Sequence, residues 1–187
     1  MKQETASILW RRLDLEGHDA CLLSPTDGGH SLKGQAIFIQ DGKPCCLAYE
    51  VDCDAGWHTR TARVDGFLGT RKLYYAIEHG SDGQWTLNDE AQQDVAGLID
   101  IDLGFTPASN LLAIRRFDLG LGMATPAPAA YLTFPELRLV RLDQTYRRLD
   151  TVRYAYAAPM FGYDEVLEVS PHGFVVDYPG LWRATTG

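Results

Sequence analysis

The sequence predicts an all-β protein, a sandwich or a barrel. Three observations lead there. Short apolar–polar alternations, about four to eight residues each, dominate the chain. Turn signals rich in Gly, Asp, Pro and Ser separate them every 8 to 12 residues or so, which gives roughly ten to fourteen strands. No long helical pattern alternates with these strands, which argues against a doubly wound sheet.

The elements follow in order. ILWRRLD (8–14) predicts a first strand with Ile8, Trp10 and Arg12 on one face, and HDACLLS (18–24) a second. SPTDGGH reads as a flexible turn. The stretch from Ser31 to Asp54 predicts strand, turn, strand, because Asp41-Gly42 between apolar runs is a strong hairpin signal. HTRTARVDG adds a strand, with Thr59, Thr61 and Arg63 alternating against Arg60, Ala62 and Val64. RKLYYAIEHGSDGQWTL predicts another hairpin. NDEAQQDVAGLI and TPASNLLAIRRF are two short helix candidates. In the second, Thr106 caps, Pro107 takes the first helical position, and a strand resumes at Ile114. Pro126 and Pro128 mark an edge loop; alternation from Leu137 to Leu142 and at Tyr154 and Tyr156 predicts further strands. A hairpin turning at 171–173 and a Pro-Gly turn before Trp182 close the chain. KLYYAIEHGSDGQW and EVLEVSPHGFVVDYPGLW echo each other, suggesting two similar β halves.

The 187 residues suit a single domain, 1–187, with no linker between the halves. Hydrophobic residues make up 45% and charged ones 22%, ordinary for a globular chain. The net charge of −8 supplies no footprint for nucleic acid. It also repels an anionic membrane on average, although a local arginine patch can still act. The N-terminus shows no secretory signal and the chain no transmembrane run, so a cytoplasmic location without stable membrane insertion is expected. Cys21, Cys45, Cys46 and Cys53 have no CxxC spacing, and adjacent strand positions point to opposite faces, so they read as structural thiols.

Catalytic signatures for a nucleophile elbow, a dinucleotide loop, a P-loop or a zinc protease do not occur. No metal or cofactor is expected. Glu50, Asp52 and Asp54 alternate along one strand face, and Asp100 and Asp102 along another. Like charges on one face need cations between them, and Arg60, Arg63, Arg71, Arg115 and Arg116 are available. We expect Glu50, Asp52, Asp100, Asp102 and Thr106 to form a structural network. Asp100 and Asp102 are expected to orient arginines rather than transfer protons, since an Asp beside Arg stays charged. Thr106 and Asn110 brace the turn between them. Arg115 and Arg116, as neighbours in a strand, are expected on opposite faces. Aromatic faces and arginine forks together suit an amphiphile. The candidate ligand contacts are Trp57, Arg60, Arg63, Trp85, Asn110, Arg115, Arg116, Tyr146, Tyr154, Tyr156 and Trp182.

An ordered series of motifs resembles a known family: LWRRLD around Trp10, LAYEVDCDAGWHTRTARV (47–64), GQW at Trp85, DIDLGFTPASNLLAIRR (100–116), YLTFPELRL, QTYRRL, YAY at 154–156 and DYPGLW ending at Trp182. In this order they resemble the bacterial family named putative glycolipid-binding proteins, and they span nearly the whole chain. Ala113 stands where the family often has Pro, which bears on backbone stiffness rather than chemistry. The resemblance implies a large curved antiparallel sheet or unclosed barrel with short helices around one apolar cavity, similar to periplasmic lipoprotein carriers. It implies non-covalent binding of an amphiphile, such as a glycolipid, with polar contacts at the rim. The alternatives are a hydrolase acting on a sugar-containing or lipid-like substrate, and a non-catalytic protein-interaction domain.

Overall fold

The computed structural model describes residues 5–186, with side chains to 185; Met1–Glu4, with the early lysine of the N-terminal reading, and Gly187 lie outside the described residues. The first half is an antiparallel meander: β1 (Ala6–Arg12), β2 (Gly17–Thr26), β3 (Gly29–Gln40), β4 (Lys43–Asp54), β5 (Thr59–Leu68), β6 (Arg71–His79), β7 (Trp85–Leu87) and β8 (Glu90–Ala91). Period-two burial sets its concave face. Ile8 and Trp10, Cys21 and Leu23, Ala36 and Phe38, Leu47 and Val51 point inward and are buried. The turn at 41–42 has positive φ at both Asp41 and Gly42, as a tight hairpin demands.

Three local expectations are corrected. SPTDGGH is not a flexible loop: β2 and β3 pair down to Thr26↔Gly29, and only Asp27-Gly28 turn. The expected alternation across Thr59 fails because a bulge opposite Asp52/Cys53 turns Thr59 inward beside Ala62 and Val64. NDEAQQDVAGLI is not a helix but β8 and a 3-10 turn at Gln93–Val95, where Gly97 adopts φ 78.

The second half adds β9 (Asp100–Leu103), α1 (Asn110–Phe117), β10 (Ala124–Pro126), β11 (Ala129–Leu132), β12 (Leu139–Leu142), β13 (Thr145–Arg148), β14 (Arg153–Ala158), β15 (Tyr163–Val169), β16 (Val175–Tyr178) and β17 (Trp182–Thr186). β17 pairs with β1, so one 14-stranded antiparallel sheet runs β10-β13-β14-β15-β16-β17-β1 and on to β8. Its two ends do not meet. At the seam, Trp10 Nε1 donates to the Val175 carbonyl at 2.6 Å. Because the strands alternate direction, turns 27–28, 55–58, 80–84, 149–152 and 170–174 share one rim. Turns 13–16, 41–42, 69–70, 159–162 and 179–181 share the other.

A curved sheet cannot cover its own concave face. Here α1 and a small sheet, β9 parallel to β11 and β11 antiparallel to β12, cover it. Leu103, Phe105, Leu111 and Leu112 cluster with Trp10, Leu47 and Val64. Ala113 and Ile114 cluster with Tyr146, Tyr154, Tyr156 and Leu167. The strand expected at Ile114 is therefore a correction: residues 110–117 are helical. Thr106 does not cap this helix, which starts four positions later; its Oγ1 accepts from Ala108 N (3.0 Å) in the turn before it.

That turn is pinned by a polar knot inside the sheet. Asp19, fully buried on the concave face of β2, accepts from the Tyr49 and Thr106 hydroxyls. The Tyr49 ring crosses Gly34, where a Cβ would collide with its hydroxyl end. Among the described residues no cation faces Asp19 in this knot; burial pushes its pKa up to about 7, against the lowering by its Thr106 and Tyr49 hydrogen bonds.

Two measurements follow. Between the ordinary carboxylate value of 3.8 and about 7, folded Asp19 keeps a proton that the unfolded chain has shed. Stability should therefore fall as pH rises through that window, by roughly 4 kcal/mol, and level off above it. Urea unfolding of Asp19→Asn across this range should give a flatter profile. Limited proteolysis should release no folded half, since the seam joins the two ends of the chain.

Candidate functional site

The rim that carries the 55–58 turn also receives the end of α1. Asp54 shapes that turn: its Oδ1 accepts from the Gly56 and His58 amides, both at 2.9 Å. Burial works against its charge, yet those hydrogen bonds, the neighbouring His58 ring and the Arg60 guanidinium hold Asp54 below the usual carboxylate range. The turn forces Trp57 to φ 68, a left-handed conformation a bulky residue rarely takes, and tucks its indole inward. The His30 ring stacks on it at 3.5 Å between centroids. Burial, then the nearby Arg115 charge, lower the His30 pKa, so that ring is neutral at neutral pH.

α1 ends at the same place. Arg115 and Arg116 occupy its last turn, where cations suit the helix dipole. On a helix they diverge by about 100° rather than pointing to opposite strand faces. Arg116 turns back to β9 and grips Asp100 through Nε (2.9 Å) and Nη2 (2.7 Å). Arg115 turns to the rim and lays its guanidinium over Trp57, 5.1 Å from the ring. Its stem crosses Gly173, at φ 97, where a Cβ would come within 2.9 Å of Arg115 Cδ. Only glycine suits that turn and that approach together.

A recess of about 410 Å³ opens there, lined by Trp57, Ile114, Arg115, Asp118, Arg148, Thr151, Tyr154, Val169, Ser170, Pro171 and Gly173. Arg148 is fixed by its bonds to the Leu119 carbonyl (2.8 Å) and the Asp150 carbonyl (3.1 Å). It stands 4.0 Å from Asp118, which is the one acid among the lining residues. Among the described residues, no carboxylate lies within ion-pair distance of Arg115. Two guanidinium groups, two aromatic rings and two aliphatic side chains thus face one opening. The arrangement can hold an anionic or sugar-bearing group against an apolar wall.

Of the sequence candidates, Trp57, Arg115 and Tyr154 meet in this recess. Arg60 and Arg63 do not: both are exposed, Arg60 paired to Asp54 and Arg63 on the convex side near Glu50 and Asp52. Trp85 is fully buried, its Nε1 bonded to the Leu98 carbonyl at 2.9 Å. Trp182 lies at the other rim, under the Arg12 guanidinium. Asn110 donates to the Tyr146 hydroxyl at 2.7 Å, and Tyr156 donates to Gln144 at 2.7 Å, inside the cluster behind α1. Glu50 pairs with Lys33 and Asp52 accepts from Thr61 on the convex face, apart from the Asp100 pair. Asp102 does not orient an arginine; it accepts from Ser109 at 3.3 Å. Burial, with help from the Asp100 charge, pushes its pKa up to about 7 despite the Ser109 bond. Arg148, His30 and Asp19 were missed by sequence reasoning. Arg148 sits in QTYRRL, where two adjacent arginines at a strand end were the available signal. Cys21, Cys45 and Cys53 are buried free thiols; burial raises Cys21 to about 12 and Cys45 to about 11, so neither is reactive at neutral pH.

Comparisons with known proteins agree with this architecture. The model of a family described as "Putative glycolipid-binding" matches residues 7–184. The crystal structure of a DUF1089 family protein from Pseudomonas aeruginosa is 30% identical, with a TM-score of 0.78, over 88% of this chain and 91% of that one. A search of curated proteins finds no match.

The two arginines should separate in stability. Asp100→Ala leaves the half-buried Arg116 without its partner and should lower the unfolding free energy by about 3 kcal/mol. Arg115→Ala removes an exposed group and should cost less than about 1 kcal/mol. Urea denaturation of both variants checks this.

Proposed function

The chain belongs to the putative glycolipid-binding family, and we propose that it binds an amphiphile non-covalently, taking the polar head into the Trp57–Arg115–Arg148–Tyr154 recess. One observation carries this reading: Arg115 is held over Trp57, at the mouth of a recess, with no carboxylate partner among the described residues. A guanidinium kept apart from acids and backed by an aromatic face suits a phosphate, sulfate or uronate next to a sugar ring. The volume of about 410 Å³ accommodates such a head and not a whole lipid. The first part of the tail rests on Ile114 and Val169, where each CH₂ removed from water contributes about 0.8 kcal/mol.

The apolar cavity implied by the resemblance is occupied here by α1 and the small sheet. A tail that entered the concave face would have to displace them. The head recess needs no such movement. Glycoside hydrolysis canonically uses a pair of carboxyls across the scissile bond, and Asp118 is the one acid lining this recess, which favours binding over cleavage of a sugar.

Native mass spectrometry of protein purified from its own host, followed by lipid extraction, should reveal a co-purifying amphiphile with a charged or glycosyl head. Arg115→Ala and Trp57→Ala should each weaken binding of that molecule about tenfold or more, with melting little changed for Arg115→Ala. No co-purifying amphiphile, together with no binding in a broad lipid screen, would overturn the proposal.

A further inference from the structure

Beside the recess the same rim carries an unusual surface. Loop 118–123 and turn 149–152 are tied together by backbone hydrogen bonds from Gly122 N to the Arg148 carbonyl (2.8 Å) and from Arg148 N to the Met123 carbonyl (2.9 Å). Four large apolar side chains stand in water on these two turns: Leu121 (66% exposed), Met123 (59%), Leu149 (39%) and Val152 (44%). Arginines surround them. The acids near Arg115, Arg147, Arg148 and Arg153 are Asp118, Asp150, Glu168, which faces Arg153 across β14–β15, and Asp164, which shares a hollow with Arg147; among the described residues Arg115 and Arg147 are in no ion pair, in a chain of net charge −8. Asp150 is already neutralised by Arg153 at 2.6 Å and accepts from two backbone amides. The acids Asp27, Asp54 and Asp82 belong to turns of the β2–β7 part of the rim.

We propose that turns 118–123 and 149–152 form a docking edge for a bilayer that contains anionic lipid, and that the recess is loaded across it. The apolar groups are aliphatic and sit on the tips of two narrow turns. Protein interfaces of useful affinity centre on aromatic anchors and need about 800 Å² per partner, which two turn tips do not offer. A bilayer needs only side chains that enter the headgroup–acyl boundary and cations that meet anionic phosphates. Both are present, side by side. The acidic remainder of the molecule is repelled by the same surface, so the field turns this edge toward the membrane. Asp118 and Thr151 belong to these turns, Arg148 ends the strand that enters the second, and all three line the recess. An amphiphile can therefore move from bilayer to recess without exposing its tail to water. The docking stands on these observations alone; the loading step rests on the proposed function.

Flotation with vesicles of phosphatidylcholine, with and without phosphatidylglycerol, tests the edge. The protein should float with the phosphatidylglycerol vesicles and dissociate in high salt. The double variant Leu121→Asp/Met123→Asp changes only exposed side chains; it should keep the melting temperature and lose vesicle binding about tenfold or more. Ile37→Asp/Phe67→Asp, on the exposed convex face, should bind like the parent. The proposal is overturned if the parent does not float, if the Leu121/Met123 variant floats equally well, or if the convex-face variant is the one that fails. It is also overturned if size-exclusion chromatography shows a dimer that the Leu121/Met123 substitutions dissolve, since the edge then serves a second copy. A short-chain lysophosphatidylglycerol, titrated below its micelle concentration, reads the recess separately. Binding of that probe without flotation sinks the docking edge alone; flotation without probe binding sinks the head recess alone.

Discussion

An open sheet of fourteen strands has a concave face that water would otherwise wet, and everything else in this protein answers that constraint. The answer is an internal cover of one short helix and three short strands. The cover holds by apolar contact, but its position is set by a few polar anchors. Thr106 is tied to Asp19 and Tyr49, Ile101 N to Thr59 Oγ1 at 3.1 Å, and Asp100 to Arg116. These anchors are directional, whereas leucine packing is not. They fix which turn of α1 meets the rim, and so they fix where Arg115 points.

The recess is a by-product of that fit. It lies where the helix ends before the sheet does, and its walls come from turns joined to six different strands, β4, β5, β13, β14, β15 and β16, with the helix itself. No single motif contains it. Trp57 pays for its place with a left-handed backbone, held by Asp54, and Gly173 has no side chain where Arg115 passes.

The strands were largely legible because each of the long ones buries one face only, so that period-two alternation survives from Ile8 to Ile77. The pairing of the first strand with the last was not, since nothing local encodes a partner so far away in sequence. α1 misled for a physical reason. Leu111, Leu112, Ala113 and Ile114 are all buried, and a run of four apolar residues before two arginines is too short for periodicity to tell a buried helix from a strand. Thr59 misled because a one-residue bulge reverses parity without any glycine to announce it. Asp19 occupied an inward position, with the parity of Cys21 and Leu23, yet a carboxylate there is so costly that parity alone did not recommend it. The aromatic candidates divided by depth: those with a satisfied indole or hydroxyl, such as Trp85 and Tyr156, belong to the interior, and Trp57 lines the rim recess.

The seam between β1 and β17 also has a consequence for biosynthesis. The ribosome delivers the first eight strands well before the residues that cover their concave face, and β1 waits on one side until nearly the last residues emerge. During that interval a nascent chain leaves Trp10, Leu47 and Val64 uncovered. Long-range pairing of this kind is slow to form and exposes edges that can pair wrongly. Until β17 pairs, the growing chain therefore carries both an uncovered apolar face and an open β1 edge.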